Sequence, residues 1–264
     1  MSYKHLKGII MKNLNHLLYA ALFLSGLILI AGCRKEQPTA PKETLTPEGE
    51  QSLLKSDDDD DNDDGGAQIP FAFVRMFIEA NSTDADAGIH VHFDGEAWKR
   101  VKILGPDANK ILDIKAESGL KELGLTELRF ESAEPSPAEV LALFPAGSYE
   151  FKGKTLEGDR LVGMGMLSHD LLAPPVFSPS NGESVDRNNT VIKWDLIPGA
   201  SGYEVIVTNS DIGVSMELNV SASVTSLHVP PTFLQPNTKY DAEVLSIAAN
   251  GNKNITQGSF ITLP

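Results

Sequence analysis

The chain has 264 residues, with 22 Lys and Arg against 36 Asp and Glu, a formal net charge of −14, and one cysteine. A balance this acidic argues against nucleic acid as a partner and against electrostatic attraction to anionic lipid. The single cysteine rules out an internal disulfide, and the length provides for one large or two small domains.

Lys4, Lys7 and Lys12 precede the apolar run "LLYAALFLSGLILIAGC", with no acidic residue before it. A basic segment followed by an apolar stretch of this length reads as an export signal, too short and wrongly flanked for a spanning helix. Met11 offers a second, more typical start for it. The run ends Ile30-Ala31-Gly32-Cys33, an aliphatic residue and two small ones before the thiol. This resembles the lipobox of bacterial lipoproteins. The resemblance implies removal of residues 1–32 and a diacylglycerol on Cys33, whose acyl chains anchor the protein stably without a span. Arg34, where an Asp would favour inner-membrane retention, implies the outer membrane, facing periplasm or cell surface. Removing 32 residues leaves 232, and the loss of three lysines takes the charge from −14 to −17.

Residues 33–69 hold little that could build a core. Pro, Thr, Glu and Lys give way to seven aspartates within Asp57–Asp64. A segment so polar and self-repelling cannot offset its ordering entropy, which predicts a disordered acidic tether. Asp60, Asn62, Asp64 and Gly65 match the first half of an EF-hand loop. Its twelfth position, which needs a bidentate Glu, is Phe71, and the match fails there.

From residue 70 the apolar period becomes two. "FAFVRMFIEA" and "GIHVHF" read as strands, and Asp94-Gly95 predicts a hairpin turn into "EAWKRVKIL". The apolar phase shifts between Trp98 and Val101, which predicts a bulge near Lys99-Arg100. "KILDIKA", "LTELRFES" and the hairpin "GSYEFKGKTLEGDRLVGMGMLSH" complete the strands. One short helix, "AEVLALF", is predicted from Ser136 as N-cap, Pro137 at the first helical position, Glu139 closing a capping box, and Pro145 as the stop. Residues 70–173 are expected to form a β-sandwich.

Residues 174–264 show a second set of spacings. "PPVFSPSNG" leads into Trp194 of "TVIKWDLIPGASGYEVIV". Tyr203 follows on the next strand, and Leu234 stands six residues before Tyr240. The segment resembles a fibronectin type III domain over nearly its whole length. The resemblance places Trp194 between two sheets and makes Tyr240 close the loop before its own strand, with Tyr203 and Leu234 in the same core. No Arg-Gly-Asp loop accompanies it. The unit before it resembles a domain of uncharacterised bacterial proteins that end in such a module, a likeness that implies no activity. The fold class expected is all-β: two tandem immunoglobulin-like β-sandwiches, the first with one short helix, behind the tether.

The chemistry-bearing stretch is "NSTDADAGIHVHFDGEAW", residues 81–98. On a strand His90, His92 and Asp94 share one face while Ile89, Val91 and Phe93 point to the other. Two imidazoles on one face can ligate zinc, with Asp84 or Asp86 as a third ligand, and a metal-dependent hydrolase follows from that reading. A solvated strand face is the more economical explanation. Asn81, Asp84 and Asp86 could give oxygens to calcium, the one cofactor candidate, although any inter-strand loop calls for the same residue types. No G-x-S-x-G elbow, Walker loop or reactive thiol is present outside the lipobox. The expectation is a lipid-anchored, non-catalytic module for an envelope protein or polysaccharide, with a passive spacer as a further alternative.

Overall fold

The computed structural model describes residues 66–179 and 181–264. The expected export signal, Cys33 and the aspartate run lie outside the described residues. The described residues belong to one compact unit.

The first half carries β1 (Gln68–Pro70), β2 (Phe73–Asn81), β3 (Asp86–Leu104), β4 (Lys110–Lys115), α1 (Ser118–Leu123), β5 (Leu125–Glu131), α2 (Pro137–Leu143), β6 (Gly147–Thr155) and β7 (Arg160–Leu167). Gln68 and Ile69, assigned by composition to the tether, instead pair in parallel with Arg160 and Leu161 of β7. The long strand β3 organises the rest. Its first part lies between β2 and β5, and its second between β4 and β6. Ile78, Ile89, Val91, Phe93, Trp98, Val101, Ile103, Tyr149, Phe151 and Leu161 converge from both parts on one core.

Asp94-Gly95 is therefore not a hairpin turn, and the expectation is corrected. It is a bend within one continuous strand, where β2 ends at Phe73↔Asp94 and β6 takes over at Trp98↔Thr155. The glycine serves close approach: a Cβ there would stand 3.0 Å from the Phe71 ring. The bulge expected near Lys99-Arg100 is found, as a register shift between Trp98 and Arg100. It turns Arg100 and Lys102 outward while Val101 and Ile103 stay in the core.

The first half holds two short helices rather than one. In α2, Glu139 Oε2 accepts both the backbone N–H and the hydroxyl of Ser136, at 3.0 and 2.6 Å, and only Val140 is buried. The unforeseen α1 buries no residue, so it presents no apolar stripe to the eye. It ends at Gly124, whose φ of 76° suits glycine and whose Cβ would meet Ala97 at 2.8 Å.

The second half carries β8 (Phe177–Ser178), β9 (Glu183–Val185), β10 (Val191–Trp194), β11 (Ala200–Asn209), β12 (Val214–Ser221), β13 (Ser226–His228), β14 (Lys239–Ala248) and β15 (Lys253–Thr262). A three-stranded sheet, β13-β10-β8, faces the sheet β12-β11-β14-β15, with β9 added beside β15. Ile192, Trp194, Tyr203, Val205, Val207, Leu234, Tyr240, Ala242, Val244 and Phe260 fill the space between them. The strand order is that of a seven-stranded immunoglobulin-like sandwich, and the described residues are all-β in class, with two short helices.

The two halves share hydrogen bonds. β15 pairs in parallel with β2, in the register Lys253↔Glu79, Asn254↔Ala80 and Ile255↔Asn81. One sheet thus runs from β1 through β7, β6, β3, β2, β15, β14 and β11 to β12. The connecting residues after β7 are pinned alongside. Asn252 donates to the Ser168 and Asp170 carbonyls at 2.8 and 2.9 Å, and Asn254 donates to Leu172 O at 2.8 Å. Ser246 donates to Ala173 O at 2.9 Å.

Candidate functional site

Alternation carries one set of side chains along the outer face of this sheet. The register aligns Glu131 with His90, His90 with Phe77, Glu79 with Lys253, Gln257 with Glu243, and Glu243 with Ile206. The face therefore begins on β5 in the first half and ends on β12 in the second.

His90 and His92 lie on it, with Ile89, Val91 and Phe93 at 2 % exposure or less on the core side. Both histidines are half-buried, with 21% and 23% of the side chain exposed, and each is engaged by its neighbours. The His90 ring stacks on Phe77 with centroids 4.8 Å apart and an interplanar angle of 12°. Its Nε2 stands 3.3 Å from Glu131 and 3.7 Å from Glu79, at ion-pair distance. Burial pulls the His90 pKa down, but the Glu131 and Glu79 carboxylates outweigh it, and the net shift is upward. His92 tilts against Phe73 at 4.8 Å, and its Nε2 is 2.7 Å from Glu127, which also accepts from Arg129 Nε at 2.8 Å. Arg129 and His92 hold the Glu127 carboxyl below its ordinary range. Each imidazole thus has its own carboxylate and its own aromatic plate. Among the described residues no group of three His, Cys, Asp or Glu is placed to hold a metal ion. Asp94 ends the same row, opposite Phe73 and Glu127.

Across the seam the face becomes a compact cluster of charges. Lys253 Nζ bridges Glu79 at 3.2 Å and Glu204 at 2.7 Å, with both partners mostly buried. Burial lowers the Lys253 pKa, yet the two carboxylates raise it further, so the ammonium is held charged. Burial opposes ionisation of Glu204, but Lys253 prevails and its pKa falls, while adjacent Glu217 is pushed up by Glu204. Glu243 has Gln257 as a donor at 3.0 Å, and burial, with Glu79 and Glu204 nearby, pushes it up to about 7. Phe77 sits under this array, with the Arg75 guanidinium 4.5 Å and the Lys253 ammonium 5.3 Å from its centroid.

The candidate calcium residues border the seam. Asn81 Oδ1 accepts the backbone N–H groups of Thr83 and Asp84 at 3.0 and 3.3 Å, and its amide donates to Asp84 Oδ2 at 3.3 Å. Asn81 and Asp84 thus close their own turn, the ordinary chemistry of such residues. Asp86 begins β3 opposite Asn81. The turn is also tied to the second half, since Thr83 Oγ1 accepts Gln257 N–H at 2.8 Å and Ser82 donates to Asn254 at 2.7 Å.

Trp194, Tyr203, Leu234 and Tyr240 are buried together. The Tyr240 hydroxyl accepts Gln235 N–H at 2.8 Å and donates to Phe233 O at 3.3 Å, which closes the loop before β14. Tyr203 does the same for Ile197 at 2.6 Å. Sequence reasoning passed over Lys253, Glu79, Glu204 and Glu243, which meet only through pairing distant in the chain. Charged residues at alternating strand positions, flanked by apolar ones, were the available signal.

No family model matches the chain. Among solved structures it is similar to the FN1-FN3 domains of chicken CNTN1, at 14% identity, covering 75% of this chain and 69% of that one with a TM-score of 0.35. It is similar to a two-domain fibronectin type III segment of chicken tenascin, at 11% identity, 72% and 97% coverage and a TM-score of 0.28. FN3tt matches at 20% identity over 35% of this chain and 96% of its own, with a TM-score of 0.26.

Proposed function

We propose that the chain is a non-catalytic binding module of the cell envelope, lipid-anchored through Cys33 at the outer membrane, which presents both sandwiches to a protein or polysaccharide as one rigid body. The observation that carries this reading is the seam. Parallel pairing of β2 with β15, together with asparagine bonds to residues 168–172, removes the freedom that two domains on a loose linker would have. A fixed relation between domains lowers the ordering cost of engaging one partner with both, which a spacer does not need.

Two experiments test it. Replacing Cys33 with Ala should move the protein from the membrane to the soluble fraction and abolish incorporation of a labelled fatty acid. A variant still retained by the membrane would refute the anchor. Asn252→Ala combined with Asn254→Ala, which frees the seam, should weaken binding to immobilised envelope polysaccharide or protein. Equal binding by the freed and native forms would count against the rigid-body reading.

A further inference from the structure

The outer edge of β15 is taken by two strands with a gap between them. β2 pairs with Lys253, Asn254 and Ile255, β9 pairs with Phe260, Ile261 and Thr262, and both run parallel to β15. Residues 256–259, about 13 Å of edge, have no partner strand on that side among the described residues. Single bonds close its two ends. Ser82 N–H donates to Ile255 O at 3.0 Å and Gln257 N–H to Thr83 Oγ1 at 2.8 Å, while Gly182 N–H donates to Ser259 O at 2.7 Å. The N–H and C=O of one strand residue face the same edge, so the Gln257 carbonyl and the Ser259 N–H point into the gap. Among the described residues neither has a partner there. One rung is missing from the ladder, opposite Gly258. The rung opens on a depression of about 360 Å³, with Pro174, Val176, Phe177 and Pro179 as an apolar wall. Val176 is 72% exposed, and the Phe177 ring packs against Gly258, where a Cβ would stand 2.9 Å from it. In a chain with 36 acidic and 22 basic residues, none of the described residues lining this depression is charged.

We infer that this gap is a docking site for a short uncharged segment of a partner protein, bound in extended form parallel to β15. The inference deepens the binding-module reading, rests on it, and takes its protein branch over its polysaccharide one. A single guest residue opposite Gly258 completes the rung. Its N–H donates to the Gln257 carbonyl and its C=O accepts the Ser259 N–H, which is the bonding of a parallel ladder. β15 already takes two parallel partners on this edge, so the guest continues an existing pattern. A guest without those two bonds would cover a donor and an acceptor and leave both unpaired, which excludes a purely apolar one. A charged side chain would give up its hydration with no counter-ion in the lining, which excludes an ionic one. The wall at Pro174 and Val176 takes an adjacent apolar side chain of the guest. With Thr83 and Gly182 closing the ends, the gap accommodates about three residues.

The test is an NMR titration of the nitrogen-15-labelled full chain, kept soluble by Cys33→Ala, with the capped peptide acetyl-Thr-Val-Thr-Val-Thr-amide. Three probes run in parallel: the same peptide N-methylated at every residue, acetyl-Glu-Val-Glu-Val-Glu-amide, and maltohexaose. The uncharged peptide should shift the Ser259 amide resonance and saturate at about millimolar concentration, as a contact of one rung allows. The N-methylated peptide, which has no N–H for Gln257, and maltohexaose should leave Ser259 unmoved. The acidic peptide should bind on the order of tenfold more weakly. Val176→Glu, which places a charge on the exposed wall, should weaken the uncharged peptide on the order of tenfold at an unchanged melting temperature. Leu143→Glu, at a residue of α2 that is 70% exposed, should change nothing. No shift at Ser259, an equal shift from any of the other three probes, or undiminished affinity in Val176→Glu would overturn the inference. The Cys33 fractionation and the seam variant at Asn252 and Asn254 are measured without this peptide, so the two readings fail separately.

Discussion

Asn252 Oδ1 accepts the backbone N–H of Ile78 at 2.8 Å, joining two buried residues 174 positions apart in sequence. The same amide donates to Ser168 and Asp170, so one side chain ties β2, the connecting segment and β15 together. Asn252→Ala leaves a buried N–H and two carbonyls without that partner, and unmade buried bonds cost about 1–3 kcal/mol each. The variant should lose about 2–4 kcal/mol in urea denaturation. The native chain should unfold in one transition and the variant in two, one for each half. A single unshifted transition would show that the seam contributes nothing.

The charge cluster sets a pH dependence whose sign is determined. Glu243 titrates near 7 in the folded state against an ordinary value of 4.5. A raised carboxyl contributes stability below its unfolded pKa and loses it as pH rises through the folded one. The His90 shift is also upward and acts in the same direction. Stability from these groups should decline from about pH 4.5 to above 7, by an amount on the order of 3 kcal/mol for Glu243. Glu243→Gln, which keeps the shape and removes the proton, should flatten the melting temperature between pH 5 and 8.

Tyr240 tests the second half in isolation from the charges. Tyr240→Phe keeps the packing against Phe260 at 5.6 Å but removes the acceptor of Gln235 N–H. The expected loss is about 1–3 kcal/mol, measured by urea denaturation. Trp194→Ala removes a large buried side chain and should cost about 3–5 kcal/mol in the same assay.

In the first half, Gly163 lets β2 cross close to β7. A Cβ there would stand 2.8 Å from Val74 Cγ2 and 2.9 Å from the Phe71 ring. Both are held side chains of the inner layer, so Gly163→Ala should destabilise by about 1–3 kcal/mol through overpacking. Gly158 has nothing within 4 Å of such a Cβ, but its φ of 97° strains any other residue. Gly158→Ala should therefore cost about 1 kcal/mol through the backbone alone. Thermal melts of the two variants separate crowding from conformation.

Local pattern carried much of the architecture. Alternation located β2, β4, β5, β6 and β7, because buried faces impose a period of two on nearby residues. Asp94-Gly95 misled because the same dipeptide serves a tight turn and a bend over an aromatic ring, and Phe71 decides between them from a strand away. The seam was not legible. Its pairs join residues 79–81 with 253–255, and "NGNKN" has the composition of an ordinary turn. Only the placement of Asn252 and Asn254 at alternate positions leading into an apolar strand hints at partners elsewhere.

The shared sheet also determines what each half would be if it were alone. Cutting the chain within residues 168–173 would uncover β2 on one fragment and β15 on the other, each with a row of unanswered backbone donors and acceptors. Bare edges of that kind recruit other strands, and the fragments should self-associate through them or adhere to each other. The C-terminal sandwich is thus not an interchangeable bead. Its β15 edge is complementary to this neighbour, and transplanting it to another host would require the asparagines to find a new set of carbonyls.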